Sequence, residues 1–313
     1  MSEGHHYRVR VTTTAPTGTQ YRIRHGEHAA TITEVGAYLR EYAVGDRDVI
    51  HPFAEDSLPP AGNGGVLVPW PNRLRDGRYT YEGVEYQLPL TEPERGTALH
   101  GLALWQRWTV TEHTDSAVTL ELPLVPTPGY PFPVRFTITY SLSDDGLMVH
   151  VVAANEGTRT APYGVGFHPW LSPGGADLDD CTLRMDAATR VTVDDRLLPD
   201  GTEPAQGPLD FRTPSTLRGV ALDDAYVDVN RDERGLAWIQ LAAPDGRTAA
   251  VWMDESMDTF QVCTGDELVP AANRTGVAAE PMSCVADAFN SGDRLVHLQP
   301  GTRHEVTWGA TLL

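Results

Sequence analysis

Apolar and polar side chains alternate along most of the chain of 313 residues. From Val134 to Leu142 every second residue is apolar, and the alternation resumes after the segment Asp144-Asp145-Gly146. Strict alternation is typical of a strand with one buried face, and an Asp-Gly step between two such runs indicates a hairpin turn. The segment therefore predicts a β-hairpin, which constrains the rest of the fold.

Three further segments repeat this pattern: 79–88 around Glu82-Gly83, 105–124, and 236–253 around Asp245-Gly246. No stretch of ten or more residues has the three-and-four spacing of an amphipathic helix, and 24 prolines and 29 glycines separate short strands. We expect one all-β domain over residues 1–313, with two large antiparallel sheets packed face to face. The pattern does not distinguish such a sandwich from a closed barrel.

The charge of the chain restricts its partners. The formal net charge is −19 at pH 7, and every basic side chain other than histidine is an arginine. A negative field repels phosphate backbones and anionic lipids, so we expect neither a nucleic-acid nor a membrane partner. Schiff-base chemistry and a Walker-type phosphate loop both need a lysine and are excluded.

Localisation and oligomeric state are less constrained. The N-terminal segment lacks the apolar core of a signal peptide, and no apolar run reaches the roughly 18 residues that span a bilayer. We expect a cytoplasmic protein, a monomer or a homodimer, with His5 and His6 in an exposed terminus. The cysteines Cys181, Cys263 and Cys284 are widely spaced and are interpreted as buried thiols.

Several familiar catalytic motifs are missing. The chain has no G-x-S-x-G, G-x-G-x-x-G or H-E-x-x-H sequence, and its histidines lack the spacing of metal ligands. We therefore expect no metal and no dissolved cofactor. The remaining candidates are polar residues in loops rich in Gly and Pro, where binding and catalytic residues concentrate.

The first two candidate loops contain cationic groups. In Val68-Pro69-Trp70-Pro71-Asn72-Arg73, the prolines fix an extended approach, and the Arg73 guanidinium offers planar donors suited to sugar hydroxyls or a ring oxygen. The alternative is a turn in which the arginine only binds backbone carbonyls. In the second loop, His100 precedes Gly101, a pattern that more often indicates a histidine in a structural role.

Three further loops contain a histidine or carboxylates. His168 follows two glycines and lies among aromatic residues, which favours a site over a structural histidine. Asp223-Asp224 precedes an apolar strand and is, taken alone, better explained by a turn. Glu280 is surrounded in sequence by small apolar residues, so desolvation should disfavour its charged form and make it a competent base. The alternative for Glu280 is a structural glutamate paired with an arginine.

At these loops the chain resembles the aldose 1-epimerase (galactose mutarotase) family. The segment PWPNRLRDGRYTYEGVEYQLPLTEPERGTALHGL is similar to the family's N-R and H-G stretches, PYGVGFHPWL to its central histidine motif, and AAEPMSCVADAFN to its C-terminal glutamate motif. The order and separations match across nearly the whole chain. The chain departs from the family at Val285-Ala286, where two prolines are frequent. The resemblance implies a β-supersandwich that binds a small-molecule sugar in an open cleft.

The resemblance also implies roles for the loop residues. His168 would be the general acid and Glu280 the general base, while Asn72, Arg73, His100 and Asp223 would contact the sugar. Asp224 is an alternative register for Asp223. Opening a cyclic hemiacetal requires both proton transfers, and neighbouring carboxylates should keep His168 charged, so we expect a bell-shaped pH dependence.

Three other functions fit the same fold. A non-catalytic sugar-binding domain would be expected to lack Glu280 or His168. An epimerase of phosphorylated hexoses should gather extra basic residues around its cleft, which the acidic balance of the chain disfavours. A supersandwich domain of a polysaccharide lyase or hydrolase usually accompanies a further catalytic domain.

Overall fold

The computed structural model describes residues 15–266, 268 and 270–313, and the expectations for His5 and His6 lie outside these residues. Strands dominate the described residues. In chain order they are β1 (Gln20–His25), β2 (His28–Thr33), β3 (Leu39–Val44), β4 (Arg47–Ile50), β5 (Val66–Leu67), β6 (Arg73–Arg75), β7 (Arg78–Tyr81), β8 (Val84–Gln87), β9 (Thr97–Leu99), β10 (Thr109–His113), β11 (Ala117–Leu124), β12 (Val134–Ser143), β13 (Gly146–Asn155), β14 (Ala161–Tyr163), β15 (Gly166–Phe167), β16 (Trp170–Leu171), β17 (Thr182–Met185), β18 (Ala187–Val193), β19 (Pro199–Pro204), β20 (Ser215–Thr216), β21 (Asp223–Val229), β22 (Ala237–Ala242), β23 (Thr248–Met253), β24 (Thr259–Cys263), β25 (Val277–Met282), β26 (Val296–Leu298) and β27 (Arg303–Leu312). Helical structure is limited to α1 (Ala288–Ser291) and to 3-10 turns at Pro60–Gly62, Leu178–Asp180 and Gly207–Leu209.

Two large antiparallel sheets contain most of these strands. Twelve strands form the first sheet in the order β1-β2-β3-β4-β16-β25-β24-β21-β18-β19, with β15 joining β25 to β5. Nine strands form the second in the order β10-β11-β12-β13-β27-β23-β22-β17-β20. Three two-stranded ribbons, β14-β26, β6-β9 and β7-β8, lie beside them. The all-β prediction is confirmed, as are the hairpins β7-β8, β10-β11, β12-β13 and β22-β23.

The two large sheets pack face to face. Strands β1 and β2 contact β12, β4 contacts β27, and β25 contacts β23. Alternate residues of β12, β13 and β24 enter one apolar cluster shared by both sheets, in which Phe136, Val151 and Phe260 are fully buried. Truncating such a phenylalanine to alanine typically costs about 3–5 kcal/mol of unfolding free energy. The architecture is a sandwich, which the alternation alone did not distinguish from a barrel.

The same alternation builds a second, polar face on the twelve-stranded sheet. In β25, Val277 and Ala279 enter the core shared by the sheets, so Glu280 points to the opposite face. In β24, Phe260 and Val262 enter that core, which leaves Gln261 on the side of Glu280. Because successive side chains of a strand point to opposite faces, a strongly apolar strand can still present one polar group outside the core.

Candidate active site

Three adjacent strands supply carboxylate and amide groups to one cleft. Glu280 of β25 pairs in register with Gln261 of β24, and β21 follows β24 in the sheet. The Gln261 amide donates a hydrogen bond of 2.6 Å to Oδ1 of Asp223, the first residue of β21. The strand register, and not closeness in sequence, therefore brings Glu280 and Asp223 together.

His168 enters the cleft from the junction between β15 and β16. Its Nε2 lies 3.4 Å from Oε1 of Glu280, and both side chains are buried. On the other side of the imidazole, the indole N–H of Trp170 donates a hydrogen bond of 3.1 Å to Nδ1. Trp170 is held in place because β16 pairs with β25, with Trp170 opposite Ala278.

The β6-β9 ribbon supplies the opposite side of the cleft. Asn72 and His100 flank the ribbon and both have left-handed backbones, with φ of 55° and 61°. The His100 amide donates to the Asn72 carbonyl at 2.9 Å, which closes the ribbon. Gly101 has φ of 74°, and a Cβ there would lie 2.1 Å from the Val68 carbonyl oxygen, so only glycine fits after His100.

Arg73 lies at the base of this ribbon and is already paired. Its Nε and Nη2 donate to the two carboxylate oxygens of Glu92 at 2.9 and 3.0 Å, and the Thr97 hydroxyl donates to Glu92 at 2.6 Å. Its Nη1 lies 3.8 Å from Oδ2 of Asp223. The bidentate pair fixes the guanidinium plane and directs the remaining donors towards the cleft.

The cleft has a volume of about 330 Å³ and one apolar wall. Its polar floor combines all six residues that the sequence indicated, and the apolar wall is formed by Tyr38, Leu99, Leu104, Trp105 and Leu268. Trp105 is 59% exposed, so its ring is open to the solvent at the rim. A sugar ring has polar edges and less polar faces, and this arrangement can contact both.

Burial sets the ionisation of Glu280. Desolvation raises the pKa of this carboxyl well above its usual value, Asp223 adds to the rise, and Arg73 opposes it. No arginine contacts Glu280, and its Oε2 is buried without a hydrogen-bond partner among the described residues. The expectation of a desolvated carboxyl is confirmed, and the alternative of a structural glutamate paired with an arginine is wrong.

The expectation of a charged His168 is wrong. Burial lowers the pKa of His168 to about 4; a backbone hydrogen bond opposes this shift, and the nearby Arg73 charge adds to it. Burial also lowers the pKa of His100 well below its usual value, with His168 and Arg73 contributing. The expectation counted the neighbouring carboxylates and overlooked desolvation, which disfavours the imidazolium.

The two neighbouring aspartates lie in different surroundings. Asp223 faces Arg73 and Gln261 in the cleft, and burial raises its pKa, partly offset by Arg73. Asp224 points to the other side of β21 and pairs with Arg190, which also binds Glu203. The structure therefore has the register in which Asp223, and not Asp224, lines the cleft.

Sequence reasoning missed three residues that shape this site. Glu92 lies in a loop between ribbons and meets Arg73 only in the fold. Gln261 is a lone amide in a wholly buried strand, a signal that sequence inspection could have used. Trp170 belongs to the quoted histidine motif, but its N–H bond to His168 depends on the backbone course between β15 and β16.

Metal binding has no support in the described part of the chain, where no group of three or more His, Cys, Asp or Glu residues is arranged to hold a metal ion. The three cysteines are buried and free, as predicted. Among the described residues, no helix is long and apolar enough to cross a membrane.

The two-sheet sandwich with a polar cleft on one sheet gives the structural class, and comparison with known proteins gives the family. The family described as aldose 1-epimerase matches residues 19–310, so the chain belongs to the aldose 1-epimerase family. The uncharacterized protein YihR of Escherichia coli K12 is 33% identical over 300 residues, which cover 95% of this chain and 94% of that protein.

More distant relatives carry more specific names. The galactose mutarotase of Mus musculus is 26% identical over 227 residues, covering 66% of this chain and 64% of that protein. The solved structure of an aldose epimerase homologue from C. elegans has a TM-score of 0.84 at 18% identity, covering 94% of this chain and 98% of that one. At that identity the structural likeness establishes the galactose mutarotase-like fold alone.

Proposed function

We propose that this protein is an aldose 1-epimerase that interconverts the α and β anomers of a free aldohexose by acid–base catalysis. The observation that carries the proposal is the contact between His168 and Glu280, whose nitrogen and oxygen atoms lie 3.4 Å apart in the floor of the cleft. Both groups are shielded from water, and both can reach one bound sugar. Family membership supports the same reaction.

The reaction needs two coupled proton transfers. Ionised Glu280 takes the proton of the anomeric hydroxyl, the bond between the anomeric carbon and the ring oxygen breaks, and His168 delivers a proton to that oxygen. The open aldehyde rotates about its bond to the next carbon and closes on the other face with the roles reversed. Each positioned proton transfer typically supplies about 10²–10⁴ in rate.

The remaining polar residues of the cleft would bind the sugar. Arg73, held flat by Glu92, can donate to a sugar hydroxyl, and Asp223 can accept from one. His100 is neutral by burial, so it can donate or accept, and Asn72 lies beside it. These contacts would orient the anomeric carbon towards Glu280 without taking part in proton transfer.

The cleft favours a free sugar over a phosphorylated one. Among the described residues that line it, Arg73 is the only lysine or arginine, and Glu92 and Asp223 already neutralise its charge. A phosphate dianion would therefore lose its hydration without gaining an unpaired cation. A purely sugar-binding domain would have no use for a desolvated carboxyl next to a buried imidazole.

Polarimetry tests the proposal. The rotation of freshly dissolved α-galactose, α-glucose and α-glucose 6-phosphate is followed with wild type, with Glu280→Gln, and with Glu85→Gln as a control on an exposed strand. We expect wild type and Glu85→Gln to accelerate mutarotation of the free sugars equally. We also expect a lower kcat/KM on the phosphate. No acceleration of any free aldose over the spontaneous rate would contradict the proposal.

A further inference from the structure

The indole of Trp170 restricts the chemistry of His168. The N–H of Trp170 donates to Nδ1 of His168 at 3.1 Å, and the two rings are within 6° of parallel. An indole nitrogen has a proton to donate and cannot accept one. Nδ1 must therefore be the accepting, unprotonated nitrogen, so a neutral His168 carries its proton on Nε2.

The packing holds the imidazole in this orientation. Nε2 faces Oε1 of Glu280 at 3.4 Å, and a Cβ on Gly62 would already lie 3.4 Å from Cδ2. Turning the ring over would place carbon atoms against both Trp170 and Glu280 and lose both polar contacts. His168 is 6% exposed, so water does not replace either contact.

We propose that Trp170 is a positioning residue that holds His168 as the neutral Nε2–H tautomer, so that His168 donates its proton as an imidazole and Glu280 alone can accept the anomeric proton. This inference rests on the proposed function, in which His168 protonates the ring oxygen. The hydrogen bond from Trp170 to Nδ1 does not involve the atoms that exchange protons with the sugar, but it determines which group donates and which accepts when the ring opens.

The proton balance closes within the pair. Glu280 takes the anomeric proton while Nε2 gives its proton to the ring oxygen. This leaves a protonated Glu280 and an imidazolate whose Nδ1 accepts the Trp170 N–H. When the ring closes, Nε2 takes the proton back from the sugar hydroxyl and Glu280 returns its proton to the carbonyl oxygen, so the pair again consists of ionised Glu280 and neutral His168. A neutral imidazole can act as the electrophile in a buried enzyme site.

Burial and the nearby Arg73 cation favour a neutral His168, against the charge of Glu280. Glu280 faces it from β25, His100 from the loop after β9, and Arg73 from β6. His100 is itself neutral by burial, and Arg73 disfavours a second cation. An imidazolium would in addition point an Nδ1 proton at the Trp170 N–H, so two donors would face each other.

Nitrogen-15 NMR of the side chains tests the tautomer without depending on activity. In uniformly labelled wild type at neutral pH, we expect a pyridine-like Nδ1 and a pyrrole-like Nε2 for His168, assigned by the loss of these signals in His168→Asn. A pyrrole-like Nδ1, whether alone or in an imidazolium, would overturn the inference. The wild-type spectrum decides this even if a Trp170 variant does not fold.

Trp170→Phe tests the role of the N–H, because it keeps an aromatic ring against His168 and removes the donor. We expect kcat to fall about 10- to 100-fold with little change in KM, and the Nδ1 signal to move towards the pyrrole-like range as the tautomers interconvert. Trp108→Phe is the matched control, since Trp108 is buried and its N–H has no partner among the described residues. This control should change neither kcat nor the Nδ1 signal of His168.

The outcomes separate this inference from the proposed function. Wild-type kcat and wild-type nitrogen shifts in a folded Trp170→Phe protein would overturn the positioning role. An active wild type with its proton on Nδ1 would overturn the inference and leave the mutarotase proposal intact. A wild type with the expected tautomer but no mutarotation of any aldose would contradict the proposed function, while the tautomer assignment would hold.

Discussion

Two buried glutamates on opposite sides of one cleft behave in opposite ways. Glu92 is 8% exposed and Glu280 is 2% exposed, so both have lost most of their hydration. Burial raises the pKa of Glu92, but hydrogen bonds from Arg73 and Thr97 outweigh it and hold that pKa below its usual value. No arginine of the described residues forms an ion pair with Glu280, and burial raises its pKa well above the usual range.

The difference shows which feature makes a carboxyl a base in this fold. Pairing with a cation keeps Glu92 an anion and commits its oxygens, so it can only hold Arg73 in place. Glu280 keeps one buried oxygen without a donor in the described part of the chain, and its proton affinity is raised, as a general base near neutral pH requires. Burial is common to both, and the partner decides the role.

Removing the base has the largest expected effect. Glu280→Gln keeps the shape of the side chain and abolishes its basicity, so kcat should fall about 10²–10⁴-fold with KM little changed. Polarimetry with α-galactose measures this, and Glu85→Gln is the matched control. Wild-type kcat in a variant with a native circular dichroism spectrum would place the base elsewhere.

The same variant should be more stable than wild type at neutral pH. Because the pKa of Glu280 is raised in the folded state, the unfolded chain releases this proton first as the pH rises past 4.5. Wild type therefore loses stability from that pH up to the raised pKa, whereas Glu280→Gln does not. Urea unfolding at acid and neutral pH tests this, and equal differences at both pH values would contradict the assigned shift.

Glu92→Gln should change stability in the opposite direction. It removes the bidentate anion from the buried Arg73 guanidinium, and breaking a buried pair typically costs about 3–5 kcal/mol of unfolding free energy. The pKa of Glu92 is lowered, so the stabilisation is present above the unfolded pKa and is lost as the pH falls through the folded one. A stability loss that persists unchanged in acid would show that Glu92 acts through packing alone.

The two adjacent aspartates sharpen the comparison on a smaller scale. Asp223→Ala should lower kcat/KM by a factor that corresponds to about 1–3 kcal/mol of transition-state stabilisation, as expected for a lost hydrogen bond between a charged group and the sugar. Asp224→Ala should leave kcat/KM nearly unchanged and affect stability, because Asp224 pairs with Arg190 away from the cleft. The reverse result would mean that the sugar contacts Asp224.

Metal removal is expected to have no effect. Dialysis against a strong chelator should leave kcat unchanged, because the proposed chemistry needs only Glu280 and His168. A loss of activity that is restored by zinc or manganese would mean that a metal ion takes part in the reaction, and would contradict this part of the account.

Local pattern predicted much of the fold, and long-range contacts account for what it missed. The hairpin β12-β13 follows from alternation around Asp145-Gly146 alone. Motif resemblance indicated His168 and Glu280, and the strand register places them together. The pairing of Glu92 with Arg73, 19 residues apart, and the neutrality of His168 depend on burial and on neighbours that only the folded chain supplies.

The pH dependence of kcat/KM for mutarotation of α-galactose tests the central claim most directly. The account predicts a rate that rises with pH as Glu280 ionises, with a midpoint well above the usual 4.5 of a glutamate. Above that midpoint the rate should stay level, because His168 is already neutral there. Glu280→Gln should lack the rising limb. A midpoint at the usual glutamate value, or a fall near neutral pH that disappears in His168→Asn, would contradict it.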